Sequence, residues 1–170
     1  DQIALSSRFH DEIYIIDHST TTEEASGHTG GNSGMGGDFL YRWGNPHSYN
    51  RGSDLDRVLD DQHSVNWIPE GYPGEGNLIL FNNNYGSNSA VFEIVTPINE
   101  EGIYSISPGQ PYGPIEPIWI HTGPFHTQMQ GGAFRLPNGN TLITDCNDAT
   151  IFEVTYDHDI VWANDFSSGA

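Results

Sequence analysis

A pattern of turns and strands recurs along this chain and restricts its fold more than any other feature. A Gly-Asn turn, a strand ending in Asn or Asp, a Phe-Glu strand and a strand with one tryptophan follow one another. The Phe-Glu strands are AVFEIV and TIFEVT, and the tryptophan strands contain Trp43, Trp119 and Trp162. Units of four short strands repeated in this way are typical of a β-propeller, in which each unit is one blade.

The pattern predicts three units, at about residues 3–46, 63–122 and 131–165, in a partial propeller that covers residues 1–170. The strands are rich in β-branched and aromatic residues, and no window shows a helical period. We therefore predict an all-β fold with about three four-stranded blades, the third strand of the first unit being indistinct. Because propellers close with about four to eight blades, the remaining blades are expected from a longer chain or from other subunits.

A polar run at residues 19–37 interrupts the first unit before its tryptophan strand. Its Thr, Ser and Gly content predicts an ordered surface insertion. His18 and His28 lie near Asp17 and Asp38 in the sequence, but no spacing matches a zinc pattern. Carboxylate and amide oxygens favour calcium over zinc here, and Asx turns and caps are the alternative role for these residues.

The charge balance excludes several classes of partner. Acidic residues outnumber basic ones 23 to 5, giving a net charge of -18, and all five basic residues are arginine. Nucleic acid is a poor partner for such a chain, and no apolar run is long enough for membrane insertion. Without lysine, a Walker-type phosphate loop is excluded. The single cysteine, Cys146, is expected to be a small buried side chain.

The run IIDHSTTTEEASGHTGGNSGMGGDFLYRWGNPHSYNRG resembles a signature stretch of bacterial arylsulfotransferase-like (ASST-family) propellers. The stretches QHSVNWIPEGYPGEGNLILFNN and LPNGNTLITDCNDATIFEV extend the likeness over essentially the whole chain. The resemblance implies a larger propeller, six-bladed in the best-known members, with an extracellular or periplasmic location. It also implies sulfuryl transfer from a phenolic sulfate ester to a phenol through a histidine, without a nucleotide sulfate donor. Small phenolic or sulfated molecules are then the partners, and no cofactor is required.

His63 is the candidate catalytic residue. It begins the first strand of the second unit, where a propeller's innermost strand faces the central channel, in a His-x-x-x-x-Ile-Pro pattern that resembles the family's channel motif. A neutral imidazole there could attack sulfur or donate to a sulfate oxygen; the alternative is a histidine satisfied by backbone. The third unit has Gly131 at the equivalent position, and His126 is expected in the preceding loop. That difference keeps open a non-catalytic propeller that binds ligands or assembles on cell surfaces, and also hydrolysis with water as acceptor.

Two arginines fall in predicted strands. Arg8 ends an inner strand and is the candidate for binding sulfate oxygens through its planar guanidinium. Arg42 lies on a tryptophan strand, where we expect a salt bridge between blades.

Overall fold

The computed structural model describes residues 1–167 and confirms the all-β prediction. Eleven strands carry the fold: β1 (Gln2–Ser7), β2 (Glu12–Asp17), β3 (Phe39–Trp43), β4 (His63–Trp67), β5 (Leu78–Tyr85), β6 (Asn88–Ile94), β7 (Trp119–Thr122), β8 (Gly132–Arg135), β9 (Thr141–Asp145), β10 (Thr150–Val154) and β11 (Ile160–Asp165). Short 3-10 turns occur at Arg8–His10, Pro46–Tyr49 and Asp54–Asp56. Within residues 1–167, no helix has the length and apolar character that crossing a bilayer requires.

One short helix, α1 (Thr22–Ala25), corrects the expectation that the chain has no helical segment. It begins with a capping box, in which the Thr21 side chain accepts from the Glu24 N–H and the Glu24 carboxylate accepts from the Thr21 N–H at 2.8 Å. This reciprocal pair satisfies backbone donors that a helix start leaves open. A single turn is too short to show a hydrophobic period, so only the Thr-x-x-Glu spacing could have indicated it.

The strands form three antiparallel sheets in which sequence neighbours pair with one another. The orders are β1-β2-β3, β4-β5-β6-β7 and β8-β9-β10-β11. The first sheet has three strands because β3 pairs directly with β2, placing Trp43 opposite Ile13 and Tyr41 opposite Ile15. The polar insertion therefore forms the long connection between β2 and β3, in place of a short turn.

The described chain divides into two compact units that are not continuous in sequence. The first unit contains residues 1–58 and 96–114, and the second contains residues 59–95 and the chain from 115 onward. The first sheet belongs to the first unit, whereas the second and third sheets both belong to the second unit. Residues 96–114, between β6 and β7, thus belong to the first unit, although β6 and β7 belong to the second.

That segment completes the core of the first unit. Tyr41 and Trp43 point into this core and are 0% and 3% exposed. The ring of Tyr104 stacks on Tyr41 at 5.2 Å between centroids. The Tyr41 hydroxyl donates to the Gly113 carbonyl at 2.8 Å, and the Trp43 indole donates to the Pro114 carbonyl at 2.7 Å. Each buried aromatic therefore has a partner for its polar end.

Arg42 pairs within its own sheet, which corrects the expected salt bridge between blades. Its guanidinium donates to both carboxylate oxygens of Glu12 on β2, at 2.9 and 2.6 Å. The Glu12 side chain is fully buried, so its charge needs this two-pronged contact. The ion pair therefore stabilises the pairing of β2 with β3.

The polar insertion is organised around Asp17, the last residue of β2. Its carboxylate accepts the Ser19 N–H and the Ser33 N–H, each at 2.8 Å. Hydrogen bonds from Ser19 and Ser33 hold the pKa of Asp17 well below its usual range. Gly37 is required nearby, because a Cβ there would lie 2.1 Å from the Ala25 carbonyl oxygen. The insertion is thus an ordered loop held by backbone contacts.

A buried ion pair connects the two sheets of the second unit. The Arg135 guanidinium on β8 donates to the Glu93 carboxylate on β6, and the two side chains are 1% and 3% exposed. Asn77 donates to the other Glu93 oxygen at 2.6 Å, and Arg135 also donates to the Gly139 carbonyl at 2.8 Å. Additional hydrogen bonds of this kind are what make a buried charge pair tolerable.

The same asparagine-to-glutamate contact occurs in the third sheet. Asn140 donates to the Glu153 carboxylate at 2.6 Å, as Asn77 donates to Glu93. The asparagine of the Gly-Asn turn and the glutamate of the Phe-Glu strand are therefore donor and acceptor of one hydrogen bond. In both sheets, the asparagine just before one strand donates to the glutamate on the next strand, which gives the recurring pattern a structural role.

We predict that Arg135→Met lowers the free energy of unfolding by about 3–5 kcal/mol, because it leaves the Glu93 carboxylate buried without its cation. Urea titration followed by tryptophan fluorescence measures the change. The control is Arg51→Met, which removes an exposed guanidinium and should shift stability by less than about 0.5 kcal/mol. Equal effects of the two substitutions would contradict this role for Arg135.

Candidate functional site

His63 lies at the start of β4 with its ring partly buried. Its Nδ1 atom is 2.8 Å from Oδ1 of Asn83, a fully buried residue on β5. Its Nε2 atom lies 3.4 Å from the backbone nitrogen of Gln130. The candidate catalytic histidine therefore has one short and one long contact, both with uncharged amide groups.

The buried amide of Asn83 determines which nitrogen of His63 carries the proton. The Nδ2 group of Asn83 donates to the carbonyls of Thr127 and Gln130, at 2.8 and 2.9 Å. Two acceptors on that side fix the amide orientation, so Oδ1 must face His63 and accept a hydrogen bond. The neutral ring is therefore the Nδ1–H tautomer. Its Nε2 carries the lone pair and points toward the Gln130 N–H.

The loop that supplies Thr127 and Gln130 is held by buried polar contacts. Thr127 is 0% exposed and donates from its hydroxyl to Asp145 at 2.5 Å. Its N–H donates to the Ser89 hydroxyl at 3.0 Å. Gln130 is in the left-handed region at φ 69°. This loop is thus fixed on both sides of the contact with His63.

Gly131 follows Gln130 and occupies the position that the sequence alignment pairs with His63. Its φ is 90°, and a Cβ there would lie 2.8 Å from the Phe81 ring. No side chain fits at this position without displacing Phe81. His126 lies exposed in the loop between β7 and β8.

Cys146 is exposed, which corrects the expectation of a buried side chain. It directly follows Asp145 at the end of β9, where the chain turns toward solvent. Its Sγ accepts the Gly131 N–H at 3.3 Å. The sulfur thus supports the same loop that contacts His63.

Arg8 lies in the 3-10 turn that follows β1, in the first compact unit. Its guanidinium carbon is 5.3 Å from the centre of the Phe9 ring. His63 belongs to the second unit, and the contacts described for it come from residues of that unit. The role of Arg8 in sulfate binding remains a prediction.

The two histidines near the insertion pair with separate carboxylates. His18 Nδ1 lies 3.2 Å from Asp1, and His28 Nδ1 lies 2.7 Å from Asp38. Asp17 and Glu24 make the turn and capping contacts described above. These residues therefore have structural partners within the first unit, and calcium binding stays a prediction.

A second group of residues, which the sequence did not indicate, lines a pocket of about 330 Å³ in the second unit. His121 on β7 and His158 in the β10–β11 turn place their Nδ1 atoms 3.3 Å apart. His121 is 4% exposed. Burial, and then the nearby His158, lower the pKa of His121 to about 4. The two residues are 37 positions apart, so no local motif could have revealed them.

The first unit contains its own cavity, of about 470 Å³. Asp17, Ser33, Leu40, Tyr104 and Tyr112 are among the residues that line it. Its walls combine the ordered insertion with the aromatic segment that completes the core.

Comparison with protein-family profiles and with curated proteins found no match to this chain. Among solved structures, the chain is similar to a protein of unknown function from Bacteroides caccae, with 12% sequence identity and a TM-score of 0.49. The match covers 98% of this chain and 42% of that protein. This chain therefore spans less than half the length of the structure it matches.

We predict that the neutral ring of His63 is protonated at Nδ1 and carries its lone pair on Nε2, because the orientation of Asn83 permits no other hydrogen bond. Nitrogen-15 NMR of the imidazole side chains distinguishes the two tautomers. The exposed ring of His126 serves as the reference, and it should favour the Nε2–H form usual for a solvated imidazole. An Nε2–H signal for neutral His63 would show that the orientation derived for Asn83 is wrong.

Proposed function

We propose that this chain is part of an arylsulfotransferase-like β-propeller that transfers a sulfuryl group from a phenolic sulfate ester to a phenol through His63. The observation that carries the proposal is the 2.8 Å contact between His63 Nδ1 and Asn83 Oδ1. Asn83 favours a proton on Nδ1, which leaves the nucleophilic lone pair on Nε2 at the start of β4. A histidine activated in this way needs neither a metal ion nor a cofactor to attack sulfur.

In the first step, Nε2 forms a bond to sulfur while the bond from sulfur to the aryl oxygen breaks. The electron pair of that bond leaves with the phenolate. The ring then carries a positive charge, and its Nδ1–H donates to Asn83 Oδ1, whose partial charge stabilises it. In the second step, the acceptor phenol attacks sulfur, the electron pair returns to Nε2, and the acceptor proton passes to solvent.

The Gln130 N–H is suited to assist this transfer. At 3.4 Å its hydrogen bond to Nε2 is long and correspondingly weak. When a sulfuryl group occupies Nε2, the same N–H can donate to one of the sulfate oxygens. Arg8, in the first unit, is separately proposed as a sulfate-binding residue.

Two features of the second unit support the propeller part of the proposal. The Glu93 carboxylate accepts hydrogen bonds from an asparagine of its own sheet and from Arg135 of the next sheet. The Glu153 carboxylate accepts hydrogen bonds only from its own sheet in the interactions described, from Asn138 and Asn140. In addition, all six residues of β11 are exposed, including the large side chains Ile160, Val161 and Trp162. A further four-stranded unit, from a longer chain or another subunit, would cover this face and bring a cation to Glu153.

The proposed partners are small phenolic or sulfated molecules, and the proposed location is extracellular or periplasmic. The net charge of -18 keeps such a chain soluble. It also opposes the approach of sulfate esters, so local donors such as the Gln130 N–H must offset the overall repulsion.

The alternative function is a non-catalytic propeller that binds ligands or assembles on cell surfaces. Both ring nitrogens of His63 already have hydrogen-bond partners, as a histidine with a purely structural role would. Gly131 also leaves the third sheet without a histidine at the equivalent position. The alternative therefore rests on the same residue, His63, and a measurement of sulfuryl transfer distinguishes the two functions.

We predict that the full-length protein containing this chain releases phenolate from a chromogenic aryl sulfate, faster when a phenol acceptor is present. His63→Ala should lower this rate at least about 10³-fold, because it removes the nucleophile. Circular dichroism checks that the variant keeps its strands. The matched control is His126→Ala, which removes an exposed histidine of the neighbouring loop and should leave the rate unchanged.

The outcomes separate the candidate functions. Release that does not depend on the acceptor would identify a hydrolase. Wild-type turnover in folded His63→Ala would remove His63 from the mechanism. No release from folded wild-type protein would favour the non-catalytic propeller.

A further inference from the structure

We propose that His121 and His158 bind a divalent transition-metal ion, such as zinc, between their Nδ1 atoms. His121 projects from β7 of the second sheet, and His158 lies in the turn between β10 and β11 of the third sheet. An ion held by both would connect the two sheets of the second unit. The site is separate from His63 and does not depend on the sulfuryl-transfer proposal.

The distance between the two nitrogens suits such an ion. Zinc–nitrogen bonds of about 2.0–2.1 Å in tetrahedral geometry place two ligand nitrogens about 3.3–3.4 Å apart. The two Nδ1 atoms are 3.3 Å apart in this structure. The ring centroids are 5.5 Å apart, so each ring presents its Nδ1 to the other. Without an ion this separation is that of a hydrogen bond between the rings, and a bound ion would replace the shared proton once both rings turn toward a common point.

Aromatic neighbours hold both rings in place before any ion arrives. His121 stacks between Trp119 and Phe125, at centroid distances of 5.8 and 5.9 Å. His158 stacks on the same tryptophan at 5.4 Å with an interplanar angle of 8°. Ligands that are already fixed lose little conformational freedom on binding, which increases affinity.

The backbone of His158 is equally constrained. Its φ is 73°, in the left-handed region that residues with a Cβ rarely adopt. The His158 N–H donates to the Thr155 carbonyl at 3.0 Å, which closes the turn. The turn thus orients this imidazole toward His121, although asparagine or glycine would suit the backbone better.

The pocket provides room and oxygen atoms for the remaining ligands. It has a volume of about 330 Å³, enough for several water molecules at about 30 Å³ each. Asp145 and Asp148 also line it. The hydrogen bonds described for Asp145 all use Oδ1. Within residues 1–167, neither carboxylate lies close enough to both histidines to share an ion with them directly, so water is expected to complete the coordination shell.

The ligand set selects the class of ion. Imidazole nitrogens suit zinc, copper and nickel, whereas calcium and magnesium prefer oxygen ligands. The calcium binding predicted for the polar insertion concerns different residues, in the first unit.

Calorimetric titration of the chelator-treated protein with zinc chloride tests the proposal. We expect one zinc ion per chain, with an increase in the unfolding temperature because the ion binds the folded state. His158→Asn should weaken zinc binding at least about tenfold. Asparagine tolerates the left-handed backbone at this position. Because the His158 side chain is exposed, we expect the variant to fold. His126→Asn, in the exposed loop, is the matched control and should bind zinc as the wild type does.

Cobalt substitution gives a second readout that stability changes cannot mimic. The wild-type protein with one cobalt(II) ion should show the visible absorption of a tetrahedral nitrogen and oxygen site, and His158→Asn should lose it. Absence of zinc binding by the wild type would overturn the proposal. Equal affinities of wild type and folded His158→Asn, or an equal loss in His126→Asn, would overturn it as well.

Discussion

The second unit depends on one buried charge, the carboxylate of Glu93. Removing a carboxylate from water costs several kcal/mol, which an opposite charge and further hydrogen bonds must offset. Arg135 supplies the opposite charge from the neighbouring sheet, and Asn77 supplies a neutral donor from its own sheet. The guanidinium also lies 5.2 Å from the centre of the Trp119 ring. A single ionised group thereby fixes how two sheets pack and where the tryptophan between them lies.

That packing has consequences for both sites of the second unit. Trp119 donates its indole N–H to the Tyr156 carbonyl at 2.8 Å and stacks on both His121 and His158. The loop that positions His63 runs between the same two sheets, from β7 to β8. The geometry of both histidine sites is therefore set by the contact between the sheets, and only partly by the strands that carry them.

Sequence reasoning succeeded for features that depend on neighbouring residues. The strands follow from short β-branched and aromatic runs between turn residues, so the all-β class could be predicted. The position of His63 at the start of a strand is confirmed, whereas its catalytic role stays a prediction. Its partner Asn83 could not be identified, since its amide meets His63 only after β4 and β5 pair. Cys146 was misjudged because burial is decided by where a strand ends, which composition does not reveal.

The division of the chain also affects how the protein can form during synthesis. The hydroxyl of Tyr41 and the indole of Trp43 find their acceptors 72 and 71 residues further along, at Gly113 and Pro114. Closing such long loops is slow compared with forming local strand pairs. Because synthesis proceeds from the N-terminus, the aromatic face of the first sheet stays uncovered until the segment that follows β4–β6 has been synthesised. The first unit is therefore complete only at residue 114, after three strands of the second sheet and before β7, so the two units form in alternation along the chain.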